Sequence, residues 1–435
     1  MNKKRIYIGL SLDIIHHGHI NLIKKSCELG DLTVGLLTDK AITEQKKLPL
    51  LDFNNRKKIL ENIKGIKKIV PQNEWNYSSN ILKYKPDIMV HGDDWNLTVS
   101  GKKLKDDSIK ALNKINAKLV EIPYTKNISS TFLQDEMFNN GLLNKGRQNY
   151  FRRLINTKNI CRILETHSPL SALIAEKTFV TNKSGKKIEF DGFWSSSLTD
   201  STLKGKPDIE VLDIKERLSN VLDIFDVTTK PLIMDIDTGG KPEHFEINIR
   251  SLESSGISAV IMEDKKGLKK NSLFGSEVKQ EQETIKNFSK KISIGKNATQ
   301  KNIMIIARVE SLILNKTIND ALKRSESYLN AGADGIMIHS KDKSPKKIFQ
   351  FSNKFRKKFN NIPLVVVPSS FNKVKENELI NNGFNVVIYA NHMLRSSYPA
   401  MKKVAKEILK NGRSFESDNS LLSIKDILNL IPGTR

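Results

Sequence analysis

Cysteine is nearly absent: Cys27 and Cys161 are the two thiols in 435 residues. They fall in different expected domains, which excludes a disulfide framework and a cysteine zinc site and suits a reducing cytoplasm. Long apolar runs are missing too. None could span a bilayer, so no membrane association is expected. The opening Met1–Ile8 briefly resembles a signal peptide, but Asp13 and His16 interrupt it and no small-residue cleavage site follows. Acidic residues are in deficit, 48 against 72 Lys and Arg, for a net charge of +24. That excess is mostly Lys, is spread along the whole chain and lacks Arg–aromatic interleaving. It reads as a solvated surface with attraction for anionic substrates, and nucleic acid is not an expected partner.

What is present is a long alternation of strand and helix signals. The length calls for two or three domains. Strands are expected at Ile6–Leu10, Leu32–Leu37, Ile66–Val70, Asp87–Val90 and Lys118–Ile122, with helices between them, including His19–Leu29 and Arg56–Ile63. This is the pattern of an open parallel sheet with helices on both faces, which binds ligands at the strand C-terminal ends. Residues 139–155 are polar and basic and read as a linker, giving expected domains 1–138 and 156–435.

The second domain offers eight further strands: Arg162–Thr166, Phe190–Trp194, Leu232–Met234, Ala259–Met262, Ile303–Ala307, Gly335–Ile338, Leu364–Val367 and Val386–Ile388. Helical stretches separate most of them, as in a (β/α)8 barrel, so the expected class is α/β throughout. Polar residues cluster just past these strands: Trp194, Ser195 and Ser196; Asp235 and Asp237; Glu263; Arg308; His339 and Ser340. Five such clusters in register are hard to read as solvated loops. Carboxylates on rigid strand ends suit a hard cation, Mg²⁺.

Near the start, His16-His17-Gly18-His19 sits between the first strand and the first helix. The spacing puts two imidazoles at a helix N-terminus, where the dipole and free N–H groups favour phosphate. With Leu29-Gly30-Asp31, Thr38-Asp39, Arg56, Gly92-Asp93-Asp94-Trp95 and Ile128-Ser129-Ser130-Thr131, the segment from Lys4 to Leu133 resembles the cytidylyltransferases, whose sheet is Rossmann-like. The resemblance implies CTP as co-substrate, with His16 and His19 as catalytic residues. It implies nucleotide contacts from Ser11, His16, His19, Asp94, Ser129, Ser130 and Thr131, and from a lysine that spacing assigns to Lys47 rather than Lys46. Two departures stand out: Leu10-Ser11-Leu12-Asp13 replaces the usual Gly-Thr-Phe-Asp, and Tyr124 replaces an arginine of the phosphate site.

The second domain resembles phosphoenolpyruvate mutase, within the isocitrate lyase superfamily, from about Arg162 to Tyr398. The motifs are Asp191-Gly192-Phe193-Trp194-Ser195-Ser196, Asp208, Asp235-Ile236-Asp237-Thr238-Gly239, Glu263-Asp264-Lys265, Lys269-Lys270-Asn271-Ser272, Ala307-Arg308-Val309-Glu310 and His339-Ser340-Lys341. The lyases carry a catalytic cysteine in the gating loop; here that loop has none. The resemblance implies Mg²⁺ on Asp235, Asp237 and Glu263, partly through water. It implies substrate contacts from Trp194, Ser195, Ser196 and Ser340, and catalysis by Asp208, Lys269, Asn271, Arg308 and His339. The implied reaction interconverts phosphoenolpyruvate and phosphonopyruvate, with a phosphonopyruvate decarboxylase as pathway partner and a tetramer as the assembly. CMP would then be loaded onto a small phosphonate, 2-hydroxyethylphosphonate before 2-aminoethylphosphonate. Phosphonopyruvate hydrolases share much of the loop spacing, so hydrolysis is the rival reaction.

Overall fold

A computed structural model describes residues 3–123, 146–182, 185, 187–267, 269–300 and 302–431. Ser129, Ser130 and Thr131 lie outside the described residues. The first half runs β1 (Arg5–Leu10), α1 (His17–Leu29), β2 (Asp31–Leu37), α2 (Asp39–Thr43), α3 (Phe53–Glu61), β3 (Ile66–Gln72), α4 (Ser78–Tyr84), β4 (Ile88–Gly92), α5 (Val99–Asn113) and β5 (Lys118–Ile122). The strands form one parallel sheet in the order β3-β2-β1-β4-β5. β1 is buried on both faces, as a central strand between helix layers must be, and this accounts for its unbroken apolar run. The order reverses between β1 and the β4 side. That switch point opens a crevice at the strand C-terminal ends, where His16 and His19 sit.

Residues 147–155, expected within a linker, instead belong to a helix, α6 (Arg147–Thr157). The polar and basic residues that suggested a linker are spent on carbonyl groups. Arg147 Nη2 donates to Thr228 O at 2.8 Å, and Gln148 Nε2 donates to Ile257 O at 3.0 Å. Phe151, Leu154 and Ile155 are buried.

The second half contributes β6 (Cys161–Glu165), the hairpin of β7 (Phe179–Thr181) and β8 (Lys187–Glu189), β9 (Gly192–Ser195), β10 (Leu232–Asp235), β11 (Ala259–Glu263), the hairpin of β12 (Lys265–Lys266) and β13 (Glu281–Gln282), β14 (Met304–Val309), β15 (Gly335–Ile338), β16 (Leu364–Val366) and β17 (Val386–Tyr389). Strands β6, β9, β10, β11, β14, β15, β16 and β17 close into a parallel barrel. Side chains alternate across the wall with the period of two. Ile233, Ile261, Ile306, Met337, Val365 and Ile388 fill the interior, while Met234, Met262, Ala307, Ile338 and Val387 pack beneath the helices. α6 closes the bottom of the barrel, because Phe151 and Leu154 join the interior cluster. Full burial of such a side chain contributes about 1.5–3 kcal/mol.

The two halves meet at this floor. Leu48, from the segment after α2, is buried with Phe151 and Leu154, and Arg153 of α6 pairs with Asp39 at 3.0 Å. Among the described residues, no helix is long and apolar enough to cross a membrane.

Candidate active sites

At the top of the barrel, strand ends deliver charge into a buried bowl. β10 ends at Asp235, and Asp237 follows in the left-handed region with φ 54°. β11 ends at Glu263, β14 carries Arg308, and His339 lies one residue past β15. The loop between β12 and β13 folds over them. Its Lys269 Nζ donates to Asp208 Oδ1 at 2.8 Å and to Ser197 Oγ at 2.5 Å, and it also contacts Asp237 Oδ1. Asn271 Nδ2 donates to the other oxygen of Asp208 at 2.9 Å. Ser272 joins the floor by donating to Glu310 Oε2 at 2.6 Å and accepting from Lys265 Nζ and Arg308 Nη2, each at 2.6 Å. Arg308 also meets His339 Nδ1 at 2.9 Å, Glu263 Oε2 at 3.3 Å and Asp235 Oδ2 at 3.9 Å.

The expected residues thus converge, with exceptions. Ser195 is buried but faces away: its Oγ donates to Asp200 Oδ2 at 2.8 Å beside Arg217. Ser340 Oγ accepts the Asp342 amide and shapes a turn. Ser196 is buried at the start of helix Ser197–Leu203. Trp194 packs in the barrel interior with its indole N–H buried and unpartnered. Sequence reading overlooked Ser197 and Arg217. Arg217 is fully buried, donates to Asp200 Oδ2 at 2.9 Å and lies 3.6 Å from Asp237 Oδ2. An arginine on an amphipathic helix carries no signal of such burial.

The carboxylates are electrostatically unequal. Burial pushes Glu263 up to about 7, although Arg308 and Lys265 oppose it. Burial also raises Asp237. It acts the same way on Asp235, but Lys269, Arg308 and Arg217 outweigh it and hold that group low. Both Glu263 oxygens are buried and accept no hydrogen bond. Arg308 at 3.3 Å and Lys265 at 3.7 Å meet part of its charge without a hydrogen bond, and burial makes the remaining lone pairs costly. Oxygen donors with orphaned lone pairs fit a hard cation. Among the described residues, however, no three His, Cys, Asp or Glu side chains converge as a direct ligand set. The expectation for Asp235, Asp237 and Glu263 is a site held partly through water; here the Lys269 ammonium sits against Asp237 and Asp208 within the bowl. The set therefore fits a cation held partly through water.

In the first half, a cavity of about 570 Å³ opens at the sheet's switch point. Ser11, His16, His19, Lys46 and Asp94 line it. The ring centroids of His16 and His19 are 3.9 Å apart, and both Nδ1 atoms are buried without partners. Burial, with His16 and Lys46 nearby, lowers His19 to about 3; burial also lowers His16. Both rings are neutral near pH 7 and can each offer one N–H. Spacing favours Lys47, but it is Lys46 that lines this cavity; Lys47 lines only the adjoining cavity of about 680 Å³ between the halves, which Lys46 also borders. Lys46 stands in the turn after α2, its amide donating to Ile42 O at 2.9 Å, a placement that spacing does not reveal. His91, also overlooked, stacks on Trp95 at 3.9 Å and 4° and extends an aromatic wall. Arg56 does not reach the cavity: it is buried and donates to Ser11 O at 2.5 Å and Leu37 O at 2.8 Å.

Comparison with known proteins agrees with both halves. Residues 151–409 match the family model described as phosphoenolpyruvate phosphomutase, and residues 7–135 match that described as cytidylyltransferase-like. A phosphoenolpyruvate phosphomutase of Tetrahymena pyriformis is 32% identical over 64% of this chain and 89% of its own. A phosphonopyruvate hydrolase of Variovorax sp. (strain Pal2) is also 32% identical, over 64% of this chain and 92% of its own. A glycerol-3-phosphate cytidylyltransferase of Bacillus subtilis (strain 168) is 32% identical over 31% of this chain and 97% of its own. The crystal structure of phosphonopyruvate hydrolase in complex with oxalate and Mg²⁺ superposes with a TM-score of 0.57 at 30% identity, over 66% of this chain and 94% of that one. The chain belongs to the phosphoenolpyruvate phosphomutase family, with a cytidylyltransferase-like domain joined ahead of its barrel.

Proposed function

We propose that the barrel interconverts phosphoenolpyruvate and phosphonopyruvate, and that the first half transfers CMP from CTP to a small phosphonate. The observation that carries the mutase reading is the gating loop, which seats Lys269 and Asn271 on Asp208 over the carboxylate bowl and holds no cysteine. Asp235, Asp237 and Glu263 would hold Mg²⁺, which supplies positive charge to the enolate oxygen when bound. In the forward direction the O–P bond of the enol phosphate breaks and a C–P bond forms at C3, so the reaction is an isomerisation with no co-reactant. Arg308 and His339 orient the carboxylate end of the substrate. Trp194, Ser196 and the more distant Ser195 and Ser340 shape the pocket around it. Asp208 receives or steers the phosphoryl group. Lys269 and Asn271 close over that group and keep water out, because a metaphosphate-like species would otherwise hydrolyse.

In the first half, His16 and His19 donate to the α-phosphate as negative charge grows on it, Ser11 and Asp94 border the nucleotide, and Lys46 meets the phosphates. Ser129, Ser130 and Thr131 complete that set by resemblance. The acceptor is 2-hydroxyethylphosphonate in preference to 2-aminoethylphosphonate, and a phosphonopyruvate decarboxylase draws the uphill C–P bond formation forward. The enzyme works as a tetramer in the cytoplasm.

A second reading, phosphonopyruvate hydrolysis, is favoured by the Variovorax relative, which is as similar as the mutase. ³¹P NMR with phosphonopyruvate and Mg²⁺ separates the two. Phosphoenolpyruvate as product supports the mutase; inorganic phosphate with pyruvate overturns it.

A further inference from the structure

We infer that the nucleotidyltransfer site of the first half is completed from the barrel, with Arg153 of α6 as a positioning residue for CTP binding. This rests on the CTP reading of the His16–His19 cavity. The segment after α2 carries Lys46 into that cavity, then passes Leu48 to the barrel floor, where it is buried with Phe151 and Leu154. Two residues on, Arg153 Nη1 donates to Leu50 O at 2.7 Å, while its Nη2 meets Asp39 Oδ2 at 3.0 Å.

Asp39 is shared. Its other oxygen takes Arg56 Nη2 at 2.6 Å, and Arg56 donates onward to Ser11 O and to Leu51 O. Asp13, three residues before His16, accepts the Leu50 amide at 2.6 Å and the Leu51 amide at 3.3 Å. The backbone of residues 50–51 is therefore gripped on one side by the histidine-bearing loop and on the other by the barrel. Lys46 and Ser11, at opposite ends of this grip, both border the nucleotide cavity. Arg153 does not line that cavity. It sets where Lys46 and Ser11 stand, so binding of CTP draws on a residue of the other half. The fusion then has a physical role beyond co-production of two activities.

The test uses the full-length chain and CTP binding by isothermal titration calorimetry, which needs no acceptor. Arg153→Met keeps the apolar packing and removes the charge and the donors; Arg153→Lys restores one donor. Loss of two charge-assisted hydrogen bonds predicts a CTP affinity at least about tenfold weaker in Arg153→Met and partly recovered in Arg153→Lys. Turnover of phosphonopyruvate by the barrel should stay within about twofold of wild type, since the bowl lies at the barrel's other end. Unchanged CTP affinity in Arg153→Met overturns the inference, as does a parallel loss of CTP binding and barrel turnover, which marks a merely structural role. Absence of CTP binding in the wild type would instead sink the CTP reading itself.

Discussion

Asn271 and Asp208 hold each other across the mouth of the barrel, with Asn271 Nδ2 donating to Asp208 Oδ2 at 2.9 Å while Lys269 takes the other oxygen at 2.8 Å. One carboxylate thus receives two residues of the gating loop, and loop position is tied to the group assigned to handle the phosphoryl. Asn271→Ala is expected to slow interconversion about 100-fold, the scale of a lost closure contact. It should also raise the share of inorganic phosphate among products, read by ³¹P NMR. Unaltered rate and partition would dissociate Asn271 from closure.

The carboxylate bowl and the His16–His19 cavity share no lining residue, so substitutions within one should spare the other. Asp237→Asn, chosen because asparagine tolerates the φ of 54°, should abolish barrel turnover and spare CMP transfer. His16→Ala should do the reverse. A variant that remains folded yet loses both activities would contradict two independent sites.

Glu263 offers two buried oxygens with no hydrogen bond. A cation that binds the folded state stabilises it by about 2.7 kcal/mol at a hundred times its Kd. Addition of Mg²⁺ should raise the melting temperature of the barrel, and Glu263→Gln should lose that rise. Scanning calorimetry with and without EDTA checks it; an equal Mg²⁺ response in the variant would remove Glu263 from the cation site.

His19 stays neutral in the folded protein down to about 3, because burial and neighbouring positive groups disfavour its charged form. The unfolded chain takes up that proton below about 6.5. Unfolding therefore binds a proton between these values, so His19 lowers stability as pH falls through that window. His19→Asn should flatten the acid side of the stability profile between pH 6.5 and 4 relative to wild type. Superimposable profiles for the two proteins would contradict the assignment.

Arg217 and Asp200 form a buried pair 2.9 Å apart. Removal of one member leaves the other charge uncompensated, so Arg217→Met should cost about 3–5 kcal/mol. Arg217→Met with Asp200→Asn should recover part of it. Urea denaturation of the single and double variants measures the coupling.

Much of the fold is legible in the sequence, because strand and helix periodicities depend on local chemistry. All eight barrel strands fall within a few residues of the positions expected from their apolar runs. The placement of Asp235, Asp237 and Glu263 at strand ends followed from the same pattern. The linker expectation failed at residues 147–155 because Arg147 and Gln148 look solvated in a one-dimensional pattern. Only the packed floor supplies the carbonyl groups of Thr228 and Ile257 that pay for their burial.

By itself, the sequence determined two α/β units, their order, and the residue types each site would draw on, since all of these follow from composition and period. Tertiary structure alone decided which side chains meet. It turned Ser195 toward Asp200, chose Lys46 over Lys47 for the cavity of His16 and His19, and brought Arg153 to Asp39 across 114 positions of chain. The reason is geometric: hydrogen bonds and ion pairs act over a few ångströms in space, and separation along the chain does not encode that distance until the sheet and the barrel have closed.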